Sequence, residues 1–194
     1  MNPVKPIRGK LIILSAPSGA GKTTIVKSLM QKNLNLRFSV SATTRKPREG
    51  EIHGRDYYFL SENEFGKLLA GNAFVEHEEV YEGLLYGTLK SEVDRILATG
   101  SHALFDIDVM GGISIKEQYG EEALAVFIMP PGLGALKDRL VHRGTETEES
   151  LAHRIEKARW ELSFSGRFDV VVVNDHLDDA IELVAEHIRK FTGQ

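Results

Sequence analysis

At 194 residues the chain has the length of one domain with room for a small insertion. Its 42% hydrophobic and 27% charged residues exclude a wholly disordered chain, and its net charge of -4 argues against a nucleic-acid coat. The absence of cysteine excludes a disulfide framework and a thiolate zinc site, and no apolar run approaches the roughly 18 residues of a membrane span. The apolar run at 11–14 is too short for a signal-peptide core. A cytoplasmic protein with no membrane and no nucleic-acid partner is therefore expected.

Leu11-Ile12-Ile13-Leu14 is an unbroken apolar run before turn residues, which predicts a strand buried on both faces, as in parallel sheets. A glycine-rich loop follows, then a helix over 24–30. Between 38 and 88 the pattern changes to short mixed strands at 38–40, 57–59 and 74–80. Ser61 with Glu64 three residues on forms a capping box, which predicts a helix over 62–70 closed by Gly71. A further helix is expected to start at Thr88 and stop before Gly100. Buried strands recur at 103–107, 123–129 and 170–173. Residues 142–150, with Glu146, Glu148 and Glu149, read as an exposed mobile loop before a helix over 151–162. In the last segment Leu177, Ala180, Ile181, Val184, Ala185, Ile188 and Phe191 form a helical stripe. Buried strands alternating with amphipathic helices give an α/β fold with a parallel sheet and right-handed crossovers. Residues 38–88 form a small, largely antiparallel insertion on it.

The most informative stretch is Ala16-Pro17-Ser18-Gly19-Ala20-Gly21-Lys22-Thr23, followed by Thr24. It fits the phosphate-binding P-loop pattern except for Ala16, where a glycine is usual. Backbone amides and the positive end of a helix would hold the phosphates of ATP there, and Lys22 would add a point charge. A methyl group at Ala16 is acceptable only if that residue has negative φ. Phe105-Asp106-Ile107-Asp108 ends an apolar run, where a metal-holding carboxylate belongs. Alternation along a strand would put Asp106 and Asp108 on one side. Thr23 and Asp106 are the candidate ligands of Mg²⁺, with ATP as co-substrate.

Arg45-Lys46-Pro47-Arg48 sets two guanidiniums around a stiff proline, which suits a second phosphate, that of an acceptor. A phosphate monoester is largely dianionic at neutral pH, its second pKa being about 6, so it can attack without a general base. Catalysis is then positioning and charge neutralisation.

In order along the chain, these strings resemble the guanylate kinase family, P-loop nucleoside monophosphate kinases that phosphorylate GMP to GDP with ATP. The strings are Ser15-Ala16-Pro17-Ser18-Gly19-Ala20-Gly21-Lys22, Ser39-Val40-Ser41-Ala42-Thr43-Thr44-Arg45-Lys46-Pro47-Arg48 and Gly50-Glu51-Ile52-His53-Gly54-Arg55-Asp56-Tyr57. Tyr86-Gly87-Thr88, Asp106-Ile107-Asp108, the Arg143-to-Ser150 segment and Val173-Asn174-Asp175 follow. The resemblance spans about 10–191. It implies one domain: a three-layer P-loop core at about 10–37, 89–137 and 165–194, a GMP-binding insertion at about 38–88, and a helical lid at about 138–164. It implies that Arg45, Arg48 and Tyr57 hold the GMP phosphate with Tyr86 beside them. Ser41, Glu76, Thr88 and Asp108 would surround guanine, and Arg139, Arg143 and Arg154 would act with Lys22 on the ATP phosphates. Carboxylates only accept hydrogen bonds, and guanine offers N1–H and an amino group as donors, so Glu76 and Asp108 suit that base. The resemblance further implies use of dGMP and a role in purine nucleotide metabolism and GMP recycling.

Two positions depart from the family's pattern. Met110 stands where glutamine is usual, and the segment 81–86 is one residue longer, with Leu85 where tyrosine is common. Two other readings are weighed. An inactive guanylate-kinase-like interaction module would have a degraded P-loop, whereas Lys22 and Thr23 are intact. A P-loop kinase for another monophosphate or a sugar phosphate would not need the carboxylates Glu76 and Asp108. The seven histidines have no metal-ligand spacing, Trp160 reads as a packing residue, and the oligomeric state is not legible.

Overall fold

The computed structural model describes residues 8–81, 83–142 and 148–194. Its elements begin with β1 (Leu11–Ser15), α1 (Lys22–Met30), β2 (Leu36–Phe38), β3 (Ala42–Thr43), β4 (Tyr58–Phe59) and α2 (Glu62–Ala70). They continue with β5 (Phe74–Tyr81), β6 (Leu84–Leu89), α3 (Lys90–Ala98), β7 (His102–Asp106) and α4 (Val109–Tyr119). The last are β8 (Ala123–Met129), α5 (Leu133–His142), α6 (Glu148–Leu162), β9 (Val170–Val173) and α7 (Leu177–Thr192). The chain divides into two compact units, one of residues 11–36 and 104–194, the other of residues 1–10 and 37–103.

The first unit is built on a sheet ordered β2-β7-β1-β8-β9, in which β1, β8 and β9 pair in parallel. Every residue of β1 is buried, as its unbroken apolar run predicts. Alternation sends Ile12 and Leu14 to one face, where they join Ile25, Val26 and Leu29 of α1 and Val184, Ala185 and Ile188 of α7. Ile13 faces the other way, toward Gly112 of α4. These are the layers of the expected three-layer core. Helices α5 and α6 pack on each other through Leu136, Leu140 and Ala158.

In the second unit the sheet order is β4-β3-β6-β5. Pairs β3–β6 and β5–β6 are antiparallel and β3–β4 is parallel, so the insertion's sheet is mixed. Its core is Ala42, Phe65 and Phe74, with the two phenylalanine rings stacked at 4.4 Å between centroids. The capping box of α2 forms as predicted. The Ser61 Oγ accepts from the Glu64 N–H at 3.2 Å, and the Ser61 N–H donates to Glu64 Oε2 at 2.8 Å. Gly87 lies where a Cβ would stand 2.8 Å from Phe74 Cδ1 and 2.9 Å from the Glu76 carbonyl oxygen, so a side chain there would force β5 and β6 apart.

Several expectations change. Helix α3 starts at Lys90, because Thr88 is still paired in the ladder opposite Glu76. Strand β9 is not buried on both faces: Val171 is 41% and Val173 50% exposed, since β9 is the last strand of its sheet and only one of its faces is covered among the described residues. Asp106 and Asp108 do not alternate on one strand. Strand β7 ends at Asp106, and Asp108 begins a helix, α4, which the sequence did not announce because Gly111-Gly112 interrupts its pattern. Trp160 is 49% exposed, with its ring edge-on to Phe164 at 4.8 Å. Of the loop expected at 142–150, residues 143–147, Arg143 among them, lie outside the described residues, while α5 runs to His142 and α6 begins at Glu148, three residues before the expected helix start.

Candidate active site

The loop after β1 owes its shape to two glycines. Gly19 and Gly21 have φ of +91° and +95°, values that favour residues without a Cβ. Gly21 is the N-cap of α1. The first amides of a helix have no intrahelical acceptor, and here they follow directly on the loop. Among the described residues only Asn35 and Asn72 are non-glycines with positive φ, so the Ala16 methyl group is accommodated without strain.

The loop is braced from outside. Asn174 Nδ2 donates to the Ala20 carbonyl oxygen at 2.7 Å, and a Cβ at Gly21 would meet that nitrogen at 2.4 Å. Arg139 on α5 donates to the Asn174 carbonyl oxygen at 2.8 Å and to that of Ala20 at 3.4 Å. Leu136 and Leu140 of the same helix press against Gly19. Arg139 is thus tied to the loop's backbone. Arg154, half-buried on α6, has interactions of its own.

The loop walls a cavity of about 280 Å³, lined by residues including Ser18, Lys22, Thr23, Thr24, Asp108 and Glu161. Lys22 Nζ ion-pairs with Asp106 and donates to the Ile107 carbonyl oxygen at 2.8 Å. The amine at the head of α1 therefore meets the end of β7. Asp108 Oδ1 accepts from the amides of Met110 and Gly111 at 2.8 and 3.0 Å and so caps α4. The Met110 side chain is 41% exposed. Ser15 Oγ donates to the Asp108 carbonyl oxygen at 2.9 Å, which joins the end of β1 to this turn.

Glu161 was not anticipated. It is 5% exposed, and its Oε2 has no hydrogen-bond partner among the described residues. Burial first, and the negative charge of Asp108 after it, push its carboxyl above the usual range. Lys157, the Ser18 amide and Lys22 pull the other way.

The other group of candidate residues belongs to the second unit. Arg45 donates through Nη1 to Glu51 Oε2 at 2.9 Å and through Nη2 to Glu51 Oε1 at 2.8 Å. The Arg48 amide donates to Glu51 Oε2 at 2.6 Å. The Arg45 hydrogen bonds foremost, and the Arg48 amide next, hold the Glu51 carboxyl down to about 2. The Arg45 guanidinium lies 5.3 Å from the Tyr57 ring centroid, and Tyr57 is edge-on to Tyr86 at 6.0 Å. Arg45, Tyr57 and Tyr86 are therefore together, with the Arg48 backbone tied in through Glu51. The Arg48 side chain is exposed.

Glu76 and Thr88 are register partners across β5 and β6, as are Glu78 and Tyr86. Phe74 pairs with Leu89 on the core-facing side, and strict alternation would put Glu76 on that side as well. The bulge between Phe74 and Glu76 advances β5 by one residue and turns Glu76 to the face of Tyr86 and Thr88. Ser41 immediately precedes β3, and its carbonyl oxygen accepts from the Tyr58 amide at 2.9 Å. Sequence reasoning missed Glu51, Asn174 and Glu161 as site-shaping residues. The first two fall inside quoted motifs, and the third had no local signal.

A family model described as guanylate kinase matches residues 8–191. A guanylate kinase of Bacteroides fragilis is 50% identical over 191 residues, covering 98% of this chain and 94% of the relative. A guanylate kinase of Porphyromonas gingivalis is 49% identical over 186 residues, covering 95% of this chain and 99% of the relative. Among solved structures, the guanylate kinase of Anaplasma phagocytophilum aligns with a TM-score of 0.75 at 29% identity, covering 97% of this chain and 88% of that one.

Proposed function

The chain belongs to the guanylate kinase family, and from that premise we propose how its residues divide the work. It is a nucleoside monophosphate kinase that transfers a phosphoryl group from ATP to GMP, giving GDP. No helix of the described residues is long and apolar enough to cross a membrane.

The loop 16–21 and the first residues of α1, including Thr23 and Thr24, hold the ATP phosphates through backbone amides, and Lys22 neutralises charge on the transferred group. Arg139, Arg143 and Arg154 of the segment 138–164 act on the same phosphates. The geometry that supports this is the cavity walled by Gly19, Gly21, Lys22 and Thr23 at the head of α1. Mg²⁺ fits the donor set, since Thr23 and Asp106 offer hard oxygens. When bound, Mg²⁺ would supply charge neutralisation at the phosphate oxygens.

In the insertion at 38–88, Arg45 and Arg48 bind the acceptor phosphate with Tyr57 and Tyr86 beside it. Ser41, Glu76 and Thr88 meet the guanine base; Asp108, named with them from the sequence, belongs to the other unit, where its Oδ1 caps α4. Acidic acceptors suit the donors of guanine and repel the N1 lone pair of adenine. The observation that carries the assignment is the shared face of Glu76, Thr88 and Tyr86. The test is a panel of GMP, dGMP, AMP, UMP, CMP and dTMP with ATP and Mg²⁺, following ADP release. Turnover of GMP and dGMP alone is expected. Equal use of AMP would remove the guanine assignment.

A further inference from the structure

Deep in the phosphate cavity is a carboxyl that the transfer scheme does not use. Glu161 belongs to the last turn of α6 and lines the cavity together with Ser18 and Lys22. It is 5% exposed, and its Oε2 lacks a partner among the described residues. The backbone N–H of Ser18, one of the loop amides, donates toward this carboxyl. The charged groups that act on it are Lys157 from its own helix, Lys22 from the head of α1 and Asp108 from the turn before α4. Lys22 is already engaged with Asp106. A buried carboxylate with so incomplete a set of partners is costly, and its neighbours account for only part of that cost.

A carboxylate and a phosphate oxygen make the same demand on a loop amide: each accepts its hydrogen bond. Both cannot take the Ser18 N–H without bringing like charges together in a confined cavity. We propose that Glu161 competes with the polyphosphate of the nucleotide for the Ser18 amide, so that α6 gives up its hold on the loop as ATP enters. The proposal rests on the reading of this cavity as the ATP phosphate site. ATP then binds better to the arrangement in which Glu161 has withdrawn, which is the differential affinity that any coupling between α6 and nucleotide requires. Arg154 lies seven residues upstream, on the same face of α6. The helix thus carries one side chain that repels the incoming phosphates and one that attracts them. Glu161 is a positioning residue here: it acts through the loop amide and not on the reacting atoms.

Trp160 makes this measurable. It is the chain's single tryptophan, neighbours Glu161 and packs edge-on to Phe164, so its fluorescence reports on the last turn of α6. Wild type, Glu161→Gln and Glu161→Asp are titrated with pyrophosphate and with ATP and Mg²⁺, following that fluorescence and binding heat, and KM is measured for each substrate. Glutamine keeps the shape and an acceptor oxygen for Ser18 but removes the charge. With like-charge repulsion gone, pyrophosphate and ATP bind about tenfold more tightly to Glu161→Gln. KM for ATP falls with them, KM for GMP is unchanged, and the ligand-induced fluorescence change shrinks. Aspartate, one methylene shorter, loses its reach to Ser18 but keeps its charge, so its affinity rises less. Unchanged or weaker pyrophosphate binding by a folded Glu161→Gln overturns the competition. Should that variant not fold, the sign of the Glu161→Asp shift decides in the same way. If wild type binds neither pyrophosphate nor ATP, it is the reading of the cavity as a phosphate site that falls.

Discussion

The Arg45 guanidinium and the Glu51 carboxylate meet as a two-point fork, with both nitrogen–oxygen distances below 3.0 Å, and the same carboxylate also accepts the Arg48 amide at 2.6 Å. One acid therefore fixes both the side chain of the first arginine and the backbone of the second. Such a fork orients a guanidinium more narrowly than a single hydrogen bond can.

Glu51→Gln removes the charge that orients Arg45 while leaving Arg45 present. Misplacing a positioning group by about 1 Å can cost on the order of 100-fold. The expected result is a rise of about tenfold or more in KM for GMP, with KM for ATP unchanged, measured by steady-state kinetics. Equal changes in both constants would show that Glu51 serves the fold and not the acceptor phosphate.

Lys22→Met removes the amine that links Asp106 to the Ile107 carbonyl oxygen. On the proposed role of Lys22 as the charge at the transferred group, kcat should fall by at least about 100-fold. A thermal melt run alongside separates this from unfolding. Retained turnover in the folded variant would remove Lys22 from the chemistry.

Glu76→Gln tests base recognition. On the proposed assignment, a carboxylate that accepts from two guanine donors is replaced by an amide that offers one acceptor oxygen. The expected outcome is a fall of about 10- to 100-fold in kcat/KM for GMP, with a relative gain for AMP. Unchanged GMP kinetics would end the assignment of Glu76 to guanine.

Glu92 is 3% exposed and gathers the Tyr58 hydroxyl at 2.9 Å and a fork from Arg95 at 2.8 and 2.9 Å. Burial pushes its carboxyl up, but Arg95 and Tyr58 outweigh burial and leave it below the usual range. Its contribution to stability is thus present above the ordinary glutamate pKa of about 4.3 and is lost as the pH falls below that value. Glu92→Ala should cost about 1–3 kcal/mol at neutral pH, because it strands the Tyr58 hydroxyl. The difference from wild type should narrow toward acid in melts run between neutral pH and about pH 3. A difference independent of pH would show that packing, and not charge, carries the effect.

Much of this protein was fixed by short-range sequence signals. The burial of Leu11 to Leu14, the capping box at Ser61 and Glu64 and the stripe of α7 each depend on residues within a few positions. The glycines of the phosphate loop belong with them, because positive φ is a property of single residues. What required distant segments was not legible. Glu76 reaches the face of Thr88 only through a bulge, and a bulge exists only when two strands are paired. Asp108 turns from a strand residue into a helix cap because β7 stops at Asp106. Two of the valines of β9 are exposed because they share the face of that strand that nothing among the described residues covers. Glu161, one glutamate among several in a charged helix, becomes a buried acid only when α6 lies against a loop more than 130 residues earlier in the chain. Local chemistry chose the elements; pairing and packing between remote segments chose which side chains they present.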